Sequence, residues 1–242
     1  MKKFVAGQLE AFTTAALEHL HLPNQDAALV AKCLVEADLR GQSGHGIQRL
    51  PMYASRLRAK VVNPRPKIRV DQTSPSSCRV FGDDGMGFVV ASRATEEAMR
   101  IAQDQGVGLA GVHRSTHFGC SSHYVMQALK ADMLSLVFTN SSPALPPFGG
   151  ARALLGASPF AAGAPSNQAH PLVLDMSTTV ISRGKLRLMA QRGEDIPPGV
   201  GVDKEGRPTL DGMEAFHGVT LPFGGAKGAA LALVMDIFSG RF

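Results

Sequence analysis

Cysteine is scarce in this 242-residue sequence. Cys33, Cys78 and Cys120 are odd in number and widely spaced, with no Cys-x-x-Cys pair or other zinc-ligand spacing. Neither a disulfide framework nor a cysteine-ligated metal is expected, and the sequence predicts a reducing compartment, the cytoplasm. With 44% hydrophobic residues, the chain can bury one large core or two modest ones without such cross-links.

Long apolar runs are also missing. The run Leu231–Val234 falls far short of the roughly 20 residues that a membrane-spanning helix needs. The first residues resemble the basic start of a signal peptide, but Gln8 and Glu10 interrupt the apolar run that follows. We therefore expect a soluble protein with no export signal and no membrane partner.

The charge of the chain suits anionic ligands. A formal net charge of +5 is compatible with small anions or with nucleic acid. The densest basic stretch, residues 56–69, contains no acidic residue, but it also contains no aromatic residue on which a base could stack. A solvated loop is the favoured interpretation, so we expect no nucleic-acid partner.

The apolar pattern changes along the chain. Helical spacing predicts helices over residues 7–20 and 24–39, with Asn24 as a cap, and a third helix with a bend or restart at Pro51. Residues 61–76, rich in proline, serine and basic residues, are typical of a connection. From Ser77 onward strands and helices alternate, which predicts an α/β fold. The predicted strands are 78–81, 107–112, 133–139, 159–164 and 172–176, the helices are 89–105, 118–131, 178–191 and 227–239, and 193–213 is a loop.

Two glycine-rich turns partly resemble nucleotide-binding motifs. Gly85-Met86-Gly87-Phe88 lacks the third glycine of the dinucleotide fingerprint, and no acid ends the next strand, so a tight turn is favoured. The segment 223–228 lacks the spacing of a P-loop and the Ser or Thr after Lys227. Paired glycines and a lysine at the start of a helix are as compatible with a phosphate-binding site as with a structural turn.

Histidines and one arginine are the candidate chemical groups. If Gly46 begins the third helix, His45 and Arg49 share one face and can bind one small anion, although a surface His and an ion-paired Arg explain them too. His113 and His117 lie in a strand-to-helix turn, where catalytic groups and solvated side chains are equally expected. Without an H-E-x-x-H helix, no metal site is predicted.

Asp175 ends a predicted strand ahead of a helix. Such an acid can cap the helix, orient a histidine or accept a hydrogen bond from a cofactor hydroxyl. The residues alone leave these roles open.

Five motifs together resemble the type 2 malate/L-lactate dehydrogenase family, which includes ureidoglycolate and sulfolactate dehydrogenases, diketogulonate reductase and piperideine-carboxylate reductase. They occur in the expected order and the similarity covers nearly the whole chain. The matching stretches are 37–53 (ADLRGQSGHGIQRLPMY), 106–124 (GVGLAGVHRSTHFGCSSHY), 146–165 (PPFGGARALLGASPFAAGAP), 174–185 (LDMSTTVISRGK) and 221–228 (LPFGGAKG).

The resemblance implies a fold and an activity. The fold would be a non-Rossmann α/β domain over residues 71–242, with a mixed sheet that binds NAD or NADP, beside an N-terminal helical region over residues 1–70. The activity would be an oxidoreductase that transfers hydride between NAD(P)H and a small, malate- or lactate-like 2-oxo acid or 2-hydroxy acid. Family members are usually homodimers.

The resemblance also implies the site residues. His45 and His117 match the active-site histidines, and either one is expected to donate the proton. Arg49 matches the residue that grips the substrate carboxylate. The stretches that line the cofactor correspond to Asp175, Met176 and Ser177, and to Lys227 and Gly228.

The sequence departs from the family pattern in two places. The common Ser-His-Gly is Gly44-His45-Gly46 here, and Ser43, one position earlier, is left as the hydroxyl near the substrate. Family members also continue beyond the helix that matches 227–239, so a C-terminally truncated member is expected. Three alternatives stay open: a cyclic imine (piperideine-2-carboxylate) reductase, a metal-dependent hydrolase that uses His113, His117 and a carboxylate, and a non-catalytic remnant.

Overall fold

A computed structural model describes residues 3–240 of the chain. The chain divides into two compact units, Met1–Met133 and Leu134–Phe242, which we call the N-terminal unit and the C-terminal unit. The boundary predicted at residue 70 marks the change from helices to strands, and the assignment of 71–242 to cofactor binding stays a prediction. Across residues 3–240, no helix combines the length and the apolar character that a membrane crossing requires.

Helices form the first part of the N-terminal unit. Helices α1 (Ala6–Glu18) and α2 (Asn24–Leu39) pack against each other, and two single 3₁₀ turns, Ser43–His45 and Ile47–Arg49, lead into α3 (Leu50–Arg58). Their apolar side chains form one core because they recur at helical spacing on the inner faces. The largest fully buried members of this core include Leu17, Leu34, Tyr53, Met86 and Phe88.

A three-stranded mixed sheet completes the N-terminal unit. Strand β1 (Arg69–Ser74) runs antiparallel to β2 (Ser77–Gly85), and β2 runs parallel to β3 (Leu109–Ser115). The parallel pair is connected by α4 (Gly87–Gln105), as a parallel connection requires. Helix α5 (Ser122–Leu129) follows β3, so His117 lies in the turn between a strand and a helix, as predicted.

Within residues 134–240, the C-terminal unit contains small sheets and three helices. Its main sheet is antiparallel, in the order β4-β7-β8, and two short ladders join β5 to β6 and β9 to β10. The strands are β4 (Ser135–Phe138), β5 (Pro143–Leu145), β6 (Leu155–Gly156), β7 (Phe160–Ala164), β8 (Leu172–Met176), β9 (Gly201–Val202) and β10 (Val219–Thr220). The helices are α6 (Arg183–Gln191), α7 (Gly212–His217) and α8 (Ala226–Phe238).

The structure confirms the predicted fold class. Within residues 3–240 every sheet has two or three strands and is antiparallel or mixed, in contrast to the doubly wound parallel sheet of a Rossmann domain. Several element boundaries differ from the prediction. Residues 69–74, predicted as a connection, form β1, whose exposed and largely polar residues hide the alternation of a strand.

A helix start and a helix cap also differ from the prediction. The helix predicted from Thr178 begins at Arg183, and its cap is Ser182, whose hydroxyl accepts a hydrogen bond from the backbone N–H of Lys185. Asp175 therefore does not cap it. Asn24 begins α2 without capping it, since its side-chain amide donates to Glu18 at 2.9 Å instead.

Candidate functional site

The N-terminal unit brings together three of the predicted site residues. The imidazole rings of His45 and His117 are nearly parallel, with 12° between their planes and 5.7 Å between their centroids. Arg49 is close enough for its charge to act on His117. All three side chains are partly buried. A positively charged guanidinium thus lies beside two imidazoles that can form hydrogen bonds, a combination that suits a small carboxylate.

The 3₁₀ turns, rather than an α-helix, hold His45 and Arg49. His45 ends the first turn and Arg49 ends the second, so the predicted common helix face does not exist. The carboxylate of Asp38, near the end of α2, accepts the backbone N–H of Ile47 at 2.8 Å and so anchors the second turn. Gly46 lies between the turns, where a Cβ atom would come within 2.1 Å of the Asp38 carboxylate.

Arg49 is held by its own chain segment. Its Nε donates to the backbone carbonyl of Gly44 at 2.6 Å, and its Nη1 lies 3.9 Å from the sulfur of Met52. These contacts leave a further guanidinium nitrogen to bind a ligand carboxylate. The predicted substrate residue Ser43 is exposed, and its backbone carbonyl accepts the side-chain amide of Gln48.

His117 makes two polar contacts at one ring nitrogen. Its Nδ1 lies 2.7 Å from the hydroxyl of Tyr53 and 3.3 Å from the backbone nitrogen of Gly119. Burial, followed by the charges of His45 and Arg49, lowers the pKa of His117 to about 4. At neutral pH this imidazole is therefore uncharged.

Tyr53 is a residue of this site that the sequence did not reveal. It lies on α3, its side chain is buried, and it is separated from His117 by 64 positions. In the sequence it resembles any apolar core residue of the third helix. The only available signal was its position at the end of the motif that contains His45 and Arg49.

The glycines at 85 and 87 serve the same turn. A Cβ atom on Gly87 would lie 2.2 Å from the backbone oxygen of Thr116, so the start of α4 packs directly on the turn that carries His117. The hydroxyl of Thr116 donates to the carbonyl of Gly85 and accepts the N–H of Gly87. The two glycines thus allow the start of α4 to pack closely against the turn at Thr116, in agreement with the favoured interpretation of a tight turn.

The geometry around His113 does not resemble a metal site. Its ring packs edge-on against Phe81, with 5.3 Å between the centroids. Among the residues that the structure describes, no group of three or more His, Cys, Asp or Glu side chains is arranged to hold a metal ion. The hydrolase alternative, which needs His113, His117 and a carboxylate together, gains no support.

The predicted cofactor residues lie in the C-terminal unit. Asp175 and Met176 end β8, opposite Ala161 and Phe160 of β7, and all three residues of the stretch 175–177 are partly buried. The hydroxyl of Ser177 lies 2.9 Å from that of Thr179. Lys227 is the exposed second residue of α8, and Gly228 is buried, since a Cβ there would meet the carbonyl of Phe223.

A short antiparallel pairing brings the two cofactor stretches together. The backbone of Val180 donates to Leu221 at 2.9 Å, and that of Phe223 donates to Thr178 at 3.1 Å. The end of β8 therefore leads directly to the turn before α8. In that turn Gly224 and Gly225 have φ values of +58° and +62°, and the helix that follows has no side-chain cap.

This arrangement fits a dinucleotide phosphate. Uncapped N–H groups and a lysine at the start of a 13-residue helix attract an anion. The hydroxyls of Ser177 and Thr179 stand beside the same turn and can donate to phosphate or ribose oxygens.

Comparison with known proteins gives a consistent result. A family model described as malate/L-lactate dehydrogenase matches residues 4–242. The L-sulfolactate dehydrogenase of Methanocaldococcus jannaschii is 39% identical over 92% of this chain and 64% of its own length. The ureidoglycolate dehydrogenase (NAD+) of Escherichia coli O157:H7 is 38% identical over 90% of this chain and 62% of its own.

A solved structure shows the same fold at lower identity. The crystal structure of delta1-piperideine-2-carboxylate reductase from Pseudomonas syringae pvar. tomato superposes with a TM-score of 0.94 at 27% identity, covering 100% of this chain and 73% of that one. This chain thus spans about two thirds of the length of the curated relatives it matches.

Proposed function

The chain belongs to the malate/L-lactate dehydrogenase family, and from that premise we propose that it transfers hydride between NAD or NADP and a small 2-oxo acid or 2-hydroxy acid. The observation that supports this most directly is the stacking of His45 on His117 beside Arg49. These groups provide what the reduction of a 2-oxo acid needs apart from hydride: a cation for the carboxylate and donors for the carbonyl oxygen.

The residues of the N-terminal unit divide the work. Arg49 binds the substrate carboxylate through the part of its guanidinium that Gly44 does not engage. His45 and His117 face the carbonyl oxygen and donate hydrogen bonds to it, and one of the two supplies the proton that converts it to a hydroxyl. Ser43 contributes a further hydroxyl near the substrate.

The residues of the C-terminal unit hold the cofactor. Asp175, Met176 and Ser177 line it on one side, and Lys227 and Gly228 bind its phosphates at the start of α8. When bound, the nicotinamide supplies the hydride that reduces the carbonyl carbon. We further propose that the protein is a cytoplasmic homodimer, as is usual for the family.

The likeness to the piperideine-carboxylate reductase supports one alternative substrate class. A cyclic imine next to a carboxylate offers the same carboxylate to Arg49 and a C=N carbon to the hydride. Only the proton acceptor differs, being nitrogen instead of oxygen.

Consumption of NADH and NADPH by the purified protein tests the proposal, with oxaloacetate, pyruvate, 3-sulfopyruvate and piperideine-2-carboxylate as substrates. We expect oxidation with at least one of them, unaffected by a chelator. Arg49→Lys replaces the planar guanidinium by an ammonium that cannot hold the Gly44 carbonyl and a ligand carboxylate in the same geometry, and should raise KM about 10- to 100-fold. Arg58→Lys, an exposed arginine at the end of α3, is the matched control and should leave KM unchanged. No oxidation with any substrate, or an unchanged KM in Arg49→Lys, would refute the proposal.

A further inference from the structure

The hydrogen bonds of His117 define its tautomer. A backbone N–H can only donate, so the contact from Gly119 to Nδ1 requires that Nδ1 carry a lone pair and no proton. The proton of the neutral ring must then sit on Nε2. Since the two ring nitrogens point in divergent directions, Nε2–H points away from Gly119 and Tyr53 and is available to a ligand.

Tyr53 reinforces this state from a buried position. Only 1% of its surface is exposed, and burial raises the pKa of its hydroxyl, which stays protonated and able to donate. At 2.7 Å its contact with Nδ1 is the shorter of the two. Its ring is fixed by edge-on packing against Phe88 at 5.5 Å, so the phenol oxygen cannot move away from Nδ1 without disturbing the core.

The charge state of His117 limits what it can do to a substrate. With its pKa lowered to about 4, the ring is uncharged near neutral pH. A neutral imidazole that gave up the Nε2 proton would become an imidazolate anion, which buried surroundings disfavour strongly. It can polarise a carbonyl by hydrogen bonding, but it cannot supply the proton that remains on the product.

We propose that Tyr53 is a positioning residue that fixes His117 as the Nε2–H tautomer, so that His117 acts as a neutral hydrogen-bond donor to the substrate oxygen and His45 delivers the proton. The step balances if His45 enters it protonated: hydride from the proposed nicotinamide cofactor adds to the carbonyl carbon, the C–O π pair moves to oxygen, and His45 gives its proton to that oxygen and becomes neutral. The assignment of these two roles rests on the proposed function.

The tautomer is measurable without turnover, by ¹⁵N NMR of protein labelled at histidine. Between about pH 5 and pH 8, His117 should show a protonated Nε2 and an unprotonated Nδ1, with no titration. Tyr53→Phe keeps the ring and removes the donor, so the His117 resonances should shift toward a mixture of tautomers. Tyr124→Phe is the matched control, because Tyr124 is equally buried but donates to the carbonyl of Phe118. A protonated Nδ1 in the wild-type protein, or titration near neutral pH, would overturn the proposal.

Kinetics separate a positioning role from a merely structural one. Tyr53→Phe should lower kcat about 10- to 100-fold with KM changed less than about threefold, whereas Tyr124→Phe should leave kcat within about threefold of wild type. Unchanged kcat in Tyr53→Phe would also overturn the proposal. If no 2-oxo acid is reduced but NMR shows the Nε2–H tautomer, the proposed function fails and the tautomer assignment stands. If a 2-oxo acid is reduced but NMR shows a protonated Nδ1, the proposed function stands and the tautomer assignment fails.

Discussion

At the scale of single residues, Gly46 shows how closely the segment before α3 is fitted to α2. Gly46→Ala would place a Cβ atom 2.1 Å from Asp38 Oδ1, so either the carboxylate or the 3₁₀ turn must move. Because Asp38 also accepts the N–H of Ile47, that movement breaks a charge-assisted hydrogen bond. We expect Gly46→Ala to lower the free energy of unfolding by about 1–3 kcal/mol, measured by urea denaturation.

Gly44 provides the comparison for Gly46. It is two positions away, and a Cβ there would meet nothing within 4 Å. Gly44→Ala should change the free energy of unfolding by less than about 0.5 kcal/mol. Equal losses of stability in the two variants would show that the close approach of Gly46 to Asp38 has no energetic weight.

Some of the site residues could be predicted and one could not. His45, Arg49 and His117 belong to contiguous motifs of polar residues in glycine-rich turns, which is why sequence reasoning could select them. Tyr53 could not be selected, since its contact with His117 depends on how α3 packs beside the turn after β3. The catalytic roles of all these residues stay predictions until they are measured.

At the scale of elements, Asp236 joins α8 to the strands around it. This carboxylate is fully buried, accepts the N–H of Gly156 at 3.0 Å and accepts the hydroxyl of Ser158 at 2.7 Å. Asp236→Ala leaves two buried donors without this acceptor and should cost about 2–4 kcal/mol of unfolding free energy. Asp236→Asn, which keeps one acceptor oxygen, should cost less.

The control for Asp236 lies on the same helix. Leu233 is 42% exposed, so Leu233→Ala should cost less than about 1 kcal/mol in the same denaturation experiment. A loss in Asp236→Ala no larger than that in Leu233→Ala would contradict the proposed role of the carboxylate.

Elements with a strong apolar period were predictable, and those held by local contacts were not. Helices α1, α2 and α4 lie close to their predicted ranges because burial of one face set their pattern. The second 3₁₀ turn, at residues 47–49, depends on the carboxylate of Asp38, which lies outside it. Strand β1 exists because β2 offers it hydrogen bonds, and its own residues give little sign of a strand.

At the scale of the whole molecule, the buried state of His117 makes stability depend on pH. Its pKa is about 4 in the folded protein, below the ordinary 6.5, so between these values the unfolded chain binds the proton more readily. The stability that the neutral His117 ring contributes to the folded protein is fully present above about pH 6.5 and is lost as the pH falls toward 4. Protonation of His117 should therefore lower the free energy of unfolding by about 2 kcal/mol when the pH falls from about 7 to about 5.

A comparison with His117→Asn isolates this contribution from that of other titrating groups. Asparagine offers Tyr53 an acceptor but does not titrate. Denaturation curves at the two pH values should therefore show a smaller fall in stability for the variant than for the wild-type protein. Parallel falls would show that His117 is not the group responsible.

The organisation of the whole chain was only partly predictable. Alternating strands and helices indicated an α/β fold, which the structure confirms. The division at 133/134 escaped prediction because α4, β3 and α5 share a compact unit with the N-terminal helices. Sequence periodicity identifies the face that each segment buries, but it does not identify the segments against which that face packs.

The hydrogen bond between Tyr53 and His117 couples substitutions at two positions that are distant in the sequence. A chain that lost the imidazole would keep a phenol sealed in its interior, and a hydroxyl stranded there costs about 1–3 kcal/mol. Phenylalanine at position 53 would relieve that cost in a single substitution. Homologues that have lost the activity are thus expected to have replaced both residues, so the identity of the pair can distinguish inactive homologues from active ones.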